Sequence, residues 1–351
     1  MLMNSFSSRL LVLLLLILLP NIFFAQDFNI HNPLTLPEKS PESFVRQHIG
    51  YTEISILYHS PGARERKVWG GMIPYGQVWR AGANENTVFT ISHEVEIKGQ
   101  ILAAGTYGLH LLPEKDQWTF IFSKNHTSWG SYFYDPAEDV LRVTVPVEKA
   151  PENRDWMAYE FHKKDRGAAS IYLSWAGLRA GFELSIDIDK IALENIRNQL
   201  RSDAYWEWFS WCQAADYCVQ YEINTEEALE WIDRSIAMRE NFSNLDVKAK
   251  LLRQLGKEAA AKKVMKRAVE VGTEIYLERY GRRLMRQKDF KQAEYVFSEA
   301  IKKNKSYWRA HLNRGNALEA MGEKKAAQKA FKAALKVAPD ENKAAIEAKI
   351  Q

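Results

Sequence analysis

The sequence predicts two domains of different fold class. Residues 43–188 are expected to form an all-β antiparallel sandwich or jelly-roll-like barrel, and residues 189–351 an all-α array of helical hairpins. Three observations support this division. Short segments before position 188 alternate apolar with polar residues, the apolar period then lengthens to about 3.6 residues, and the second half repeats itself. Alternation is typical of strands with one buried face, and the longer period is typical of amphipathic helices.

The first 26 residues are predicted to be a secretory signal peptide. Arg9 precedes an unbroken apolar run from Leu10 to Leu19, and a cleavage site follows near Ala25 or Gln26. An uncleaved membrane anchor is the alternative, but this run is too short to cross about 30 Å of hydrocarbon as a helix. We therefore expect an exported protein, periplasmic or extracellular, with no membrane span after signal cleavage.

Residues 27–42 contain three prolines and are expected to be an extended lead-in. The segment that follows has short stretches rich in β-branched and aromatic residues, bounded by Gly, Pro, Asn or Asp. These stretches are 54–58, 88–92, 94–98, 117–123, 140–147, 156–162, 169–175 and 180–188. No long helical pattern separates them, so eight to ten antiparallel strands are predicted.

Asp187 or Asp189 is expected to cap the first helix, which runs through Ile191 to Leu200. Metal binding by the two aspartates is the alternative.

Further along the chain, one set of residues recurs 34 positions later. Tyr280, Gly281, Leu284, Ala293, Phe297 and Ala300 correspond to Arg314, Gly315, Leu318, Ala327, Phe331 and Ala334. This pattern resembles the tetratricopeptide repeat, in which small residues let two antiparallel helices approach closely.

An earlier unit, with Ala249, Leu252 and Gly256, is similar, and a more degenerate hairpin is predicted from Tyr205 to Met238. Such arrays usually bind a protein or peptide partner.

The half after residue 189 carries 31 Lys/Arg against 23 Asp/Glu, but the charges alternate along helices. We therefore expect a solvated helix surface and no nucleic-acid binding. The only two cysteines, Cys212 and Cys218, are expected to be buried free thiols.

The segment from Arg64 to Thr87, RERKVWGGMIPYGQVWRAGANENT, has the composition of a binding site. It combines rigid aromatic rings with converging donors and acceptors. The candidate ligand-binding residues are Trp69, Tyr75, Trp79, Arg80, Asn84 and Glu85, with His59 and Lys67 near them. Tyr107, Trp129, Tyr132 and Arg142 are second-tier candidates. The alternative is a stiff turn whose tryptophans plug the end of the sandwich.

The same segment, extended to Tyr58–Thr87, resembles the domain-of-unknown-function 2911 family of secreted bacterial proteins, found mostly in Bacteroidota. The resemblance rests on SPG at Ser60–Gly62, WGG at Trp69–Gly71, PYG at Pro74–Gly76, VWRAGANE at Val78–Glu85 and AGTYGL at Ala104–Leu109. It implies an envelope location and a β-domain followed by helical repeats. It implies no catalytic residue.

No metal-ligand spacing, nucleophile elbow or phosphate-binding glycine loop is present, so we expect no metal, cofactor or catalytic nucleophile. The favoured hypothesis is a secreted binding protein. Its β-domain would bind a small polar ligand, glycan or peptide, and its repeats a protein. One alternative is an envelope hydrolase with Glu85 as general acid/base, assisted by Arg80 or His59. The other is a structural scaffold in which only the repeats bind anything.

Overall fold

The computed structural model describes residues 36–350, and the predicted signal peptide and most of the lead-in lie outside them. The described chain forms two compact units whose main division lies between Ser185 and Ile186, with Ile49–Tyr51 assigned to the second unit. No helix in this part of the chain is both long and apolar enough to cross a membrane.

The first unit is built from antiparallel strands in two sheets. The strands are β1 (Glu42–Ile49), β2 (Thr52–His59), β3 (Ala83–Ile91), β4 (Val95–Ile97), β5 (Gln100–Leu102), β6 (Gly105–Pro113), β7 (Gln117–Ser123), β8 (Asp139–Pro146), β9 (Glu148–Lys149), β10 (Ala158–Lys163), β11 (Ala168–Trp175) and β12 (Leu178–Ser185). One sheet has the order β1-β2-β3-β6-β7-β8, and the other β10-β11-β12-β4-β5, with β9 also paired to β12. The predicted all-β class is confirmed, and β1, β5, β6 and β9 are strands that lie outside the predicted stretches.

The core of the sandwich follows the period of two. On β7, Trp118, Phe120 and Phe122 point to one face and are fully buried. Phe182 of β12, in the other sheet, packs 5.0 Å from Phe120 and 5.5 Å from Phe122, measured between ring centroids. Because alternate side chains from both sheets meet between them, burial of these rings holds the layers together.

The second unit is helical. Its helices are α1 (Ile188–Gln199), α2 (Trp208–Tyr221), α3 (Thr225–Met238), α4 (Phe242–Gln254), α5 (Glu258–Val271), α6 (Glu274–Arg286), α7 (Phe290–Lys303), α8 (Trp308–Ala320), α9 (Lys324–Val337) and α10 (Asp340–Glu347). Asp187 caps α1 by accepting a hydrogen bond from the Lys190 amide at 2.9 Å. The capping interpretation of Asp187 is therefore confirmed.

Consecutive helices pair as hairpins, α2 with α3, α4 with α5, α6 with α7 and α8 with α9. The recurring small residues lie where helices touch. A Cβ added to Gly281 would lie 2.4 Å from the ring of Phe297, and one added to Gly315 would lie 2.3 Å from Phe331. Both glycines therefore allow a close approach that a side chain would block. Cys212 and Cys218 are buried free thiols, as expected.

Candidate functional site

Trp69 belongs to the core of the sandwich. Its ring is 6% exposed and lies 4.2 Å from Trp118 and 5.9 Å from Trp175, between centroids. The Trp69 indole N–H donates to the carbonyl of Trp175 at 3.1 Å. Trp79 extends this cluster by stacking on Trp175 at 5.8 Å. Trp69 therefore has the plugging role that the sequence left as an alternative, and its ring is not accessible to a ligand.

Tyr75 and Lys67, two other candidates from the Arg64–Thr87 segment, lie nearer the surface than Trp69. Tyr75 is 40% exposed and covers Gly70, whose added Cβ would lie 2.6 Å from the tyrosine ring. Lys67 is exposed and has no charged partner among residues 36–350. Its carbonyl accepts from the Met72 amide at 2.9 Å, so its backbone closes a turn.

Three predicted candidates, Trp79, Arg80 and the second-tier Tyr132, line one accessible pocket. A cavity of about 250 Å³ is bordered by Val78, Trp79, Arg80, Ser131 and Tyr132. The Arg80 guanidinium lies 5.2 Å from the centroid of the Trp129 ring and donates to the Asn84 carbonyl at 2.8 Å. A cation over an aromatic face is an attractive contact, and here it fixes the direction of the guanidinium.

Tyr132, which borders this cavity, stacks with Trp129. Their rings are nearly parallel, with an angle of 6° and centroids 5.9 Å apart. They are 53% and 77% exposed, and neighbouring Phe133 is 71% exposed. We call Trp79, Arg80, Trp129 and Tyr132 the aromatic-arginine surface. Contiguous exposed aromatic area of this kind marks interaction sites more often than a bare loop does.

The loop that carries Trp129 and Tyr132 is held from below by buried polar groups. His110 on β6 contacts the Ser131 hydroxyl at 2.9 Å through Nδ1. The backbone N–H of Asn86 donates to the Ser128 carbonyl at 3.2 Å. Burial lowers the pKa of His110 to about 4, although Asp139 opposes this change, so the imidazole is neutral at pH 7. These contacts position the exposed rings in advance of any ligand.

A second anchor lies at the end of the same loop. Asp139 accepts hydrogen bonds from the Tyr134 hydroxyl and from Arg142 Nε, both at 2.7 Å. Burial, the hydrogen bond to Asp139 and its charge raise the pKa of Tyr134 to about 12. Arg142, a second-tier candidate, is therefore part of the support of the loop.

Asn84 and Glu85 belong to a different cluster. Asn84 has a positive φ of 55°, and its side-chain amide donates to Glu38 at 2.6 Å. His59 lies between two carboxylates, with Nε2 3.3 Å from Glu38 and Nδ1 3.4 Å from Glu85. The proposed trio of Arg80, Asn84 and Glu85 is thus split between the aromatic-arginine surface and this Glu38-His59-Glu85 cluster.

One residue of these clusters, Glu38, and one neighbouring exposed aromatic residue, Phe133, were not predicted from the sequence. Glu38 lies in the proline-containing lead-in, which has no periodic pattern to give it a role. Phe133 was passed over, although the aromatic run from Trp129 to Tyr134 was visible. Tyr107, another second-tier candidate, is only 8% exposed, and its hydroxyl donates to the Ala103 carbonyl at 2.7 Å, so it is structural. Residues 36–350 contain no group of three His, Cys, Asp or Glu side chains able to hold a metal ion.

Comparison with known proteins agrees with this division. Residues 40–184 match the family described as "Protein of unknown function (DUF2911)". The matched region spans the strands of the β-domain. The DUF2911 domain is followed by matches to tetratricopeptide repeats at residues 245–271 and 284–350. No curated protein matches the chain.

Several solved structures resemble part of the chain at low identity. YrrB, described as a TPR protein with an unusual peptide-binding site, is 19% identical, with a TM-score of 0.29 over 46% of this chain and 83% of its own. A MamA structure is 17% identical, with a TM-score of 0.31 over 44% and 90% of the two chains. PilF of Pseudomonas aeruginosa is 18% identical, with a TM-score of 0.29 over 41% and 65%. The repeat assignment itself rests on the family matches.

Proposed function

We propose that this protein is an exported, non-enzymatic binding protein whose DUF2911 domain binds a glycan or similar small polar ligand at the aromatic-arginine surface. The observation that carries the proposal is the parallel, exposed pair of Trp129 and Tyr132 beside Arg80 and its cavity of about 250 Å³. Flat rings can pack against the apolar face of a sugar, while the guanidinium offers paired donors to its oxygens or to a carboxylate. Export is proposed from the N-terminal sequence alone.

The tetratricopeptide repeats support a role in binding a protein or peptide partner, because hairpin arrays present an extended groove to their surroundings. The protein would then join a small-molecule site on one domain to a protein-binding site on the other.

The test compares glycan binding by the full chain with that of three single variants. A panel of soluble oligosaccharides is first screened by glycan array, and hits are measured by titration calorimetry. We expect Trp129→Ala and Tyr132→Ala to weaken binding by about tenfold or more, since each removes a stacking ring. Trp156→Ala is the matched control. Trp156 is a 45% exposed tryptophan of the same domain with Arg64 at 5.8 Å from its ring. Equal affinity of all four proteins, or no glycan hit, would refute the assignment.

Two further variants separate the two clusters of the predicted segment. Arg80→Ala should weaken ligand binding because its guanidinium borders the cavity. Glu85→Ala should not, because Glu85 contacts His59 instead. Binding lost only in Glu85→Ala would move the site to the Glu38-His59-Glu85 cluster.

That cluster supports one alternative, a hydrolase. A single carboxylate was evident from the sequence, whereas Glu38 now brings a second one to the other nitrogen of His59. Paired carboxylates can serve as acid and base in hydrolysis. Turnover of glycan or peptide substrates that is lost in Glu85→Gln would favour this function over simple binding.

A further inference from the structure

The seam between two neighbouring hairpins of the repeat domain is only partly closed. Phe242 at the start of α4 stacks on Tyr276 of α6, with centroids 5.9 Å apart. Farther along the same helices, Asp246 accepts a hydrogen bond from Arg283 at 3.0 Å. Beyond this ion pair the α4–α5 hairpin and the α6–α7 hairpin separate around a cavity of about 710 Å³. We call this cavity the seam groove, and its volume is within the usual range for ligand sites.

The ion pair between Asp246 and Arg283, at the closed end of the seam groove, is stable at neutral pH. Asp246 is 7% exposed, and burial alone would raise its pKa, but the hydrogen bond and charge of Arg283, together with Lys250, lower it. Asp246 is therefore ionised at neutral pH and holds the two hairpins at this point. The groove is thus a space between fixed walls, and a ligand would not have to open the seam.

The groove has an apolar floor and a basic rim. Met265, Val269 and Leu284 line it and are each less than 10% exposed as residues. Five basic side chains border the groove against two acidic ones. Lys262 and Lys266 stand one turn apart on α5, both exposed, and neither has an acidic partner in the described part of the chain. Two like charges at this spacing disfavour the helix slightly, so an anionic ligand between them would be favourable.

We infer that the seam groove binds an acidic peptide segment of a partner protein. An apolar side chain of that segment would pack on Met265 and Leu284, and its carboxylates would reach Lys262 and Lys266. This inference rests on the proposed protein-binding function of the repeats and names the chemistry of the partner. A nucleic acid fits less well, because single strands bind through several exposed aromatic stacking surfaces. Two tyrosines line the groove, but the Arg283 guanidinium lies 4.9 Å from the ring centroid of Tyr280, and only Tyr295, 43% exposed, is left open to stacking among the lining residues.

The probe is a fluorescent 12-residue peptide of glutamates with two central leucines, compared with the same peptide carrying glutamines in place of the glutamates. Anisotropy titration of the full chain should give tighter binding of the glutamate peptide, weakening as salt rises. The double variant Lys262→Glu/Lys266→Glu should weaken it about tenfold or more, because two attractions become repulsions. Lys325→Glu/Lys329→Glu, an exposed pair at the same spacing on α9, is the control and should change it less than about twofold.

Three results would overturn the inference. Equal binding of the glutamate and glutamine peptides would show that charge does not select the ligand. Equal loss in both double variants would show a non-specific effect of net charge. Tighter binding of a 12-nucleotide oligothymidylate, lost in Lys262→Glu/Lys266→Glu, would make the groove a nucleic-acid site.

A random peptide library separates this inference from the broader function. Peptides that bind wild type and Lys262→Glu/Lys266→Glu equally would leave the protein-binding role of the repeats standing and remove the groove from it. A library with no binder would count against both.

Discussion

The stability of the β-domain should fall on mild acidification because of one buried histidine. His110 is 2% exposed and its pKa is lowered from 6.5 to about 4 by burial. Between these two pKa values the unfolded chain binds a proton that the folded chain does not. The contribution of His110 is therefore complete above about pH 6.5 and is lost as the pH falls toward 4.

The size of the effect follows from the two pKa values. At pH 4.5 the unfolded imidazole is almost fully protonated and the folded one only partly, which gives a loss of about 2.5 kcal/mol relative to pH 7. The groups around His110 are Ser131, the Tyr134 ring at 5.1 Å, and Asp139 and Glu138. Asp139 favours the protonated imidazole, but its influence is already included in the lowered pKa.

The assay is urea unfolding followed by pulsed hydrogen exchange of the β6 and β7 amides, which reports the β-domain separately from the helices. Wild type and His110→Gln are compared at pH 7 and 4.5. Wild type should lose about 2.5 kcal/mol more than the variant, since glutamine keeps a polar group without this titration. His162→Gln, at an exposed histidine of the same domain, should behave as wild type. Parallel pH dependence of wild type and His110→Gln would refute the reasoning.

Two other predictions concern buried residues. Trp69→Ala should destabilise the β-domain by about 3–5 kcal/mol, because it empties the space between Trp118 and Trp175. Thermal denaturation measures this, and a loss below about 1 kcal/mol would contradict the plugging role. Burial raises the pKa of Cys212 to about 12 and of Cys218 to about 11, so neither thiol should react with a disulfide reagent at pH 8 unless urea is added. Rapid reaction of the folded protein would show that the thiols are accessible.

Local sequence patterns predicted most of the strands and helices. The alternation in Gln117–Ser123 correctly predicted a strand, because a strand places neighbouring side chains on opposite faces. Trp118, Phe120 and Phe122 on one face are buried, but toward the end of the strand Ile121 and Ser123 on the other face are buried too. The recurrence of Gly281 and Phe297 at Gly315 and Phe331 predicted helix pairs in close contact. In each unit a small residue on one helix faces a large ring on the other, and this packing repeats with the sequence. Strand β1 was missed, since every second residue of it is only partly buried and its apolar signal is weak.

The candidate site was predicted less completely. The Arg64–Thr87 segment does contain two residues of the aromatic-arginine surface, Trp79 and Arg80, but the ring of Trp69 is buried in the core. The composition of a loop indicates that its tryptophans take part either in packing or in binding. It does not indicate whether a given ring faces the core or the solvent. That choice depends on where β7 and β11 bring Trp118 and Trp175.

By itself the sequence determined the two fold classes, the repeat period, the position of a helix cap at Asp187 or Asp189, and the buried thiols. Each of these depends on residues close together in the chain and on their periodicity. Only the tertiary structure decided that Arg80 meets Trp129, that Glu38 reaches His59, and that the seam opens beyond Asp246 and Arg283. Those contacts depend on strand register, loop paths and the spacing of hairpins, which are set by the packing of the whole domain.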